Sequence, residues 1–84
     1  MGTDFVPARN ALEKMLADLW MEGLGLERVG VRDNFFALGG DSLKMVRLIV
    51  RLYEQTGVEF PIADFFETPI IEAHAAKLNS FLSR

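Results

Sequence analysis

The junction Gly39-Gly40-Asp41-Ser42 constrains this chain more than any other stretch, because it turns the backbone sharply and delivers it into a helix. Gly39 and Gly40 can adopt backbone angles closed to other residues and leave little side-chain bulk beside the serine. Asp41 is a favoured helix cap, and the apolar spacing from residue 43 to residue 53 is helical. Ser42 therefore stands at the positive end of a helix dipole, where backbone N–H groups lack intrahelical partners. A phosphate ester on its hydroxyl would be well accommodated there.

The chain has 84 residues, enough for one small domain with a single core. We expect that domain to occupy residues 5–82. Half of the residues are hydrophobic and seven are Phe, so the core should hold without covalent staples. There is no cysteine, which removes disulfides and thiolate metal sites, and any thiol used in chemistry must arrive on a cofactor. The formal net charge of −3 argues against nucleic acid as a partner. No apolar run approaches the roughly 18 residues of a membrane span, and Met1-Gly2-Thr3-Asp4 is not followed by a signal-peptide core. A soluble, cytoplasmic monomer off the membrane is expected, with fraying before Pro7 and after Phe81.

Periodicity predicts a first helix over 7–22, with Pro7 in its first turn, Gly23 as its stop, and Leu12, Met15, Leu16, Leu19 and Trp20 buried. Arg9 with Glu13 and Lys14 with Asp18 read as solvated i,i+4 pairs. Residues 24–41 read as a long ordered loop, anchored by Leu26, Val29, Val31, Phe35, Phe36 and Leu38, with Asp33 capping a short turn. Along the next helix, Lys44, Arg47, Arg51 and Glu54 share one narrow face. Its apolar arc is wider than a surface helix needs, so Leu43 and Val46, beside Ser42, are candidates for a docking patch as well as for core. Gly57 ends that helix and a short turn follows over 62–67, with Phe65 and Phe66 in the core. Thr68-Pro69 caps a last helix carrying Ile70, Ile71, Ala75, Leu78 and Leu82. His74 has no second histidine or cysteine to join it as a metal ligand, so a surface or packing role is expected and no metal site.

Asp33-Asn34-Phe35-Phe36-Ala37-Leu38-Gly39-Gly40-Asp41-Ser42-Leu43 resembles the attachment motif of peptidyl carrier proteins, the thiolation domains of nonribosomal peptide synthetases. Trp20, Leu24-Gly25-Leu26, Val29-Gly30-Val31 and Phe65-Phe66-Glu67-Thr68-Pro69 extend the resemblance over nearly the whole chain. It implies an all-α, acyl-carrier-like four-helix bundle of three longer helices and one short one, run up and down, with a long ordered loop between helices 1 and 2. It implies that Ser42, framed by Gly39, Gly40 and Asp41, carries covalent phosphopantetheine derived from coenzyme A. The carrier would be non-catalytic, holding aminoacyl, peptidyl or aryl thioesters for natural-product, including antibiotic, biosynthesis. The implied partners are a phosphopantetheinyl transferase, an adenylation enzyme or domain, and condensation or tailoring enzymes. Leu43, Lys44, Val46 and Arg47 would meet them.

Other readings compete. Gly-Gly-Asp-Ser is also an ordinary loop and helix cap, and a plain helical interaction module would look similar in composition. Gly40-Asp41-Ser42-Leu43 spells the motif of the GDSL esterases, but His74 is the only candidate base, and Ile71 stands where an orienting Asp would be needed. Acyl carriers of fatty acid or polyketide synthesis tend to be acidic after the serine, whereas Lys44 and Arg47 are basic here. One departure from the peptide-synthetase pattern is Asp41, where many such carriers have His.

Overall fold

The computed structural model describes residues 5–83, and among them there are four helices and no strand: α1 (Ala11–Leu24), α2 (Ser42–Thr56), α3 (Ile62–Glu67) and α4 (Ile71–Leu82). The all-α, acyl-carrier-like bundle expected from the resemblance is the fold observed. The fraying expected at residues 1–4 lies outside the described residues.

The two longest helices begin where a side chain satisfies one of their free N–H groups, and the two others open without a side-chain cap. The α1 start is four residues later than its apolar spacing suggested, because the Asn10 side chain accepts from the Glu13 N–H at 2.9 Å and sets the cap there. The stop also moves: Gly23 lies within the helix, and Gly25, at φ 70°, closes it in the left-handed conformation that suits glycine. Gly57 ends α2 in the same way, as expected. Thr68 does not cap α4. The helix opens at Ile70 without a side-chain cap, while the Ile70 N–H donates to the Thr68 carbonyl at 2.8 Å.

Leu16, Trp20, Val31, Phe35, Phe65, Ile71 and Leu78 form the centre of the core, drawn from α1, the loop, α3 and α4; Met45, Leu48 and Leu52 add the inner face of α2. Leu12 and Met15 are only partly buried at its margin. Phe66 is exposed, contrary to its expected place in the core, and Leu82 on α4 is exposed as well. Phe65 and Phe66 are neighbours on a short helix and point about 100° apart, and it is Phe65 that faces the core and Phe66 that faces out. His74 packs instead of lying on the surface: it is 2 % exposed, against Phe65 at 4.3 Å and Phe60 at 5.1 Å between ring centroids.

The loop over 25–41 is stitched down through its middle. Val31 donates its N–H to the Val6 carbonyl (2.8 Å) and accepts from the Glu72 N–H (2.9 Å), while Phe35 donates to the Pro69 carbonyl (2.9 Å). Asp33 accepts from the Gly30 N–H at 2.8 Å, but the turn after it is capped by Asn34, whose Oδ1 accepts from Phe36 and Ala37. Arg9 and Glu13 are more than a solvated pair. Glu13 is 4 % exposed and takes three hydrogen bonds from Arg9, whose guanidinium also reaches Glu72 at 2.7 Å. Those bonds hold the Glu13 carboxyl below the usual carboxylate range in spite of its desolvation. Lys14 and Asp18 form no ion pair with one another among the described residues.

Candidate functional site

The site is built by the end of the loop and the first turn of α2. The Phe35–Gly39 turn is closed by hydrogen bonds from Leu38 to Asn34, Gly39 to Phe36 and Gly40 to Phe35. The two glycines serve different needs. Gly39 has φ 104°, a left-handed conformation in which a side chain is strained. Gly40 has no such angle; it is needed for space, since a Cβ there would fall 2.3 Å from the Phe35 ring and 2.7 Å from the Phe35 carbonyl oxygen.

Asp41 is extended, at φ −145°, and its Oδ1 accepts from the Lys44 N–H at 2.8 Å, while its carbonyl accepts from Met45 at 2.9 Å. The cap expected at Asp41 is therefore formed. Ser42 is the first residue of α2 and is exposed, and among the described residues no hydrogen bond engages its hydroxyl. The first turn of α2 contains no acidic side chain. Lys44 donates its ammonium to the Gly39 carbonyl at 3.2 Å in an exposed hydrogen bond, which keeps a cation beside the loop. Arg47 is exposed. An uncommitted, accessible hydroxyl at a helix start, with a cation at hand and no acid in the first turn, fits a phosphodiester.

Leu43 is 60 % exposed and Val46 43 %, so neither belongs to the core, and both lie beside Ser42 on the same helix. Another exposed apolar patch is not evident from the sequence pattern. Phe66 stacks on Phe36 with centroids 5.2 Å apart and planes at 6°, and Ile62 is exposed on the same short helix. The adjacency of Phe65 and Phe66 sets their side chains about 100° apart but does not by itself say that either faces outward.

His74 cannot act as a base for Ser42. It sits in the aromatic core on α4, and burial pushes its pKa down to about 4, an effect the backbone carbonyls of Phe65 and Thr68 only partly offset. An esterase constellation is absent, and no cluster of His, Cys, Asp or Glu able to hold a metal occurs among the described residues.

Comparison with known proteins agrees with this geometry. The family described as "Phosphopantetheine attachment site" matches residues 14–78. Surfactin synthase subunit 1 of Bacillus subtilis (strain 168) is 42 % identical over 74 residues, covering 88 % of this chain and 2 % of that protein. Tyrocidine synthase 3 of Brevibacillus parabrevis is 46 % identical over 69 residues, covering 82 % of this chain and 1 % of that protein. The chain thus spans only a few hundredths of the length of these relatives.

Among solved structures, a peptidyl carrier protein in complex with the phosphopantetheine transferase Sfp and coenzyme A superposes with a TM-score of 0.89 at 34 % identity, covering 90 % of this chain and 99 % of that one. A prototype peptidyl carrier domain of modular peptide synthetases gives 0.79 at 36 % identity, covering 89 % and 99 %. The chain belongs to the phosphopantetheine attachment family and, within it, to the peptidyl carrier proteins.

Proposed function

We propose that residues 5–82 form a single carrier domain in which Ser42 is the attachment point for phosphopantetheine, with Gly39, Gly40 and Asp41 shaping its surroundings. The observation that carries this reading is the Ser42 hydroxyl, exposed and, among the described residues, unbonded at the capped start of α2. In the transfer, the Ser42 hydroxyl gives up its proton to a base of the transferase, its oxygen bonds to the phosphorus bearing the pantetheine, the pyrophosphate P–O bond of coenzyme A breaks, and adenosine 3′,5′-bisphosphate leaves. Bound there, the group supplies a flexible chain ending in a thiol, which holds an aminoacyl, peptidyl or aryl unit as a thioester. The protein's own contribution is tethering, which presents that unit to each partner at high effective concentration.

The partners are a phosphopantetheinyl transferase, an adenylating enzyme and condensation or tailoring enzymes of a nonribosomal peptide pathway. The kinship with surfactin and tyrocidine synthases supports this reading, as does a solved adenylation–carrier structure at 31 % identity and a TM-score of 0.85. Leu43 and Val46 supply apolar contact to these enzymes, and Lys44 and Arg47 supply charge. A cytoplasmic setting fits a cysteine-free chain in which no described helix is long and apolar enough to cross a membrane. Intact mass after incubation with coenzyme A and a phosphopantetheinyl transferase tests the assignment. Wild type should gain the arm and Ser42→Ala should not; a gain in the variant overturns Ser42 as the site.

A further inference from the structure

Ahead of α1, residues 5–9 run outside any helix, and burial alternates along them as it does in extended chain: Val6 and Ala8 pack on the core while Phe5, Pro7 and Arg9 are exposed. The segment is fastened at both ends. At the end further from α1, the Arg28 guanidinium stands over the Phe5 ring, 3.8 Å from its centroid, and the Val6 carbonyl accepts from the Val31 N–H at 2.8 Å. At the end nearer α1, the Arg9 N–H and guanidinium hold the Glu13 carboxylate, and the guanidinium also reaches Glu72 at 2.7 Å.

The two fastenings differ in kind. Glu13 is 4 % exposed, so letting go of Arg9 would leave a desolvated charge without a partner. The far end has one backbone hydrogen bond and a contact to an exposed arginine that has no acid within ion-pair distance among the described residues. Water can replace both of those contacts when they open. Gly30 shapes the seat of the weak end. It is buried and has no positive φ, yet a Cβ there would stand 3.2 Å from Phe5 Cδ1, 3.3 Å from the Val6 nitrogen and 3.2 Å from Asp33 Oδ2.

We propose that residues 5–8 form a releasable strap: Phe5 and Val6 let go of the loop while Arg9 stays clamped on Glu13 and the rest of the domain stays folded. Release frees four residues, about 13–14 Å of chain at roughly 3.3–3.6 Å each. That exceeds the domain's radius of gyration of 11.8 Å. In a protein like surfactin synthase subunit 1, of which the matching stretch is 2 %, such slack lets the domain swing as a body further from the part it is joined to, and re-seating the strap draws it back. The ground beneath Ser42, fixed through Phe35 and Gly40, takes no part, and the strap does not depend on Ser42 as the attachment point.

Amide hydrogen exchange on ¹⁵N-labelled protein tests the strap, because the Val31 N–H reports its weak end and the Arg9 N–H its strong one. Release predicts a Val31 amide at least about a hundredfold less protected than those of Phe35 and Gly40. Arg28→Ala should lower the ratio of Val31 to Phe35 protection a further two- to fivefold or about that, and Gly30→Ala, which crowds the seat, by about tenfold or more. A loss of stability shared by the whole domain cancels in that ratio. The chain has no cysteine of its own, so a nitroxide on Thr3→Cys adds a second readout. Its broadening of the Arg28 and Val31 amides should weaken in Gly30→Ala. A wild-type Val31 amide as slow as Phe35, a ratio unmoved by both variants, or undiminished broadening in Gly30→Ala would each overturn the proposal.

Discussion

Replacing Gly40 by alanine is the sharpest test of how the serine is held. The added Cβ would stand 2.3 Å from two atoms of the Phe35 ring, and the ring has nowhere to go. Its neighbours are Trp20 at 5.0 Å, Phe65 at 5.1 Å and Phe36 at 5.3 Å, all edge-to-face, and Phe35 itself is 1 % exposed. Overpacking of this kind costs about 1–3 kcal/mol, and the contact with the Phe35 carbonyl places Gly40→Ala toward the upper end. A compatible Gly→Ala change would return about 0.4–1 kcal/mol through the unfolded chain, leaving a net loss of about 2 kcal/mol. For a domain of this size that lowers the melting temperature by roughly 8–16 °C.

Urea midpoints of wild type, Gly40→Ala, Phe35→Leu and the double variant form a cycle that isolates the clash. Because Phe35→Leu puts a smaller side chain against the added methyl, the double variant should be more stable than the sum of single effects by about 1 kcal/mol or more. A Gly40→Ala protein within about 0.5 kcal/mol of wild type, or strict additivity, would refute steric exclusion as the reason for the second glycine.

Reversing both charges in Lys44→Glu/Arg47→Glu should leave helicity intact and slow loading by the cognate adenylating enzyme. The defect should shrink as salt rises, and rates insensitive to both charge and salt would reduce the pair to solvated surface. Leu43→Ala and Val46→Ala should each move the urea midpoint by only a few tenths of a kcal/mol, because both side chains are exposed. Their effect should fall on transferase or loading kinetics; losses of about 1–2 kcal/mol with normal transfer would return them to the core. His74 is held at a pKa of about 4 against 6.5 in the unfolded chain, so below pH 6.5 the unfolded state gains a proton that the native state refuses. Stability should therefore be complete above pH 6.5 and fall between 6.5 and 4, by up to about 3 kcal/mol. His74→Leu should flatten that slope in urea titrations above about pH 4.5, before the depressed carboxyl of Glu13 begins to contribute; an unchanged slope would exonerate His74.

The elements that sequence made legible are those governed by local chemistry: the Asp41 cap, the Gly57 stop, the turn at Gly39 and the helical spacing after Ser42. Where it failed, a competing group lay nearby or far away in the chain. Pro7 is a good first-turn residue, but Asn10 supplied a side-chain cap that proline cannot, and residues 5–9 were taken up by the Val6–Val31 hydrogen bond instead. Glu13 looked solvated because its spacing to Arg9 is that of a surface pair; that the same Arg9 also reaches Glu72, far along the chain, is something no local pattern reveals. The need for glycine at 40 was legible only as permissiveness, since the Phe35 ring that excludes a side chain is placed there by Trp20 and Phe65. For the site itself, Ser42 and its cap could be read directly, but the exposure of Val46 could not, because an apolar residue on the edge of a helical arc satisfies either environment.

Phe35 links the ends of the molecule that matter most: its N–H is tied to Pro69 at the entry to α4, its carbonyl to the Gly40 N–H, and its ring to the middle of the core. The ground beneath the serine is thus continuous with the most stable part of the protein. In hydrogen-exchange terms, the amides of Phe35 and Gly40 should open only with the whole domain, on the slowest timescale the molecule has. If Ser42 carries the proposed arm, a mooring that does not yield leaves all travel to that arm, so the reach of the thioester it would hold is set by the arm's own length and not by any give in the post.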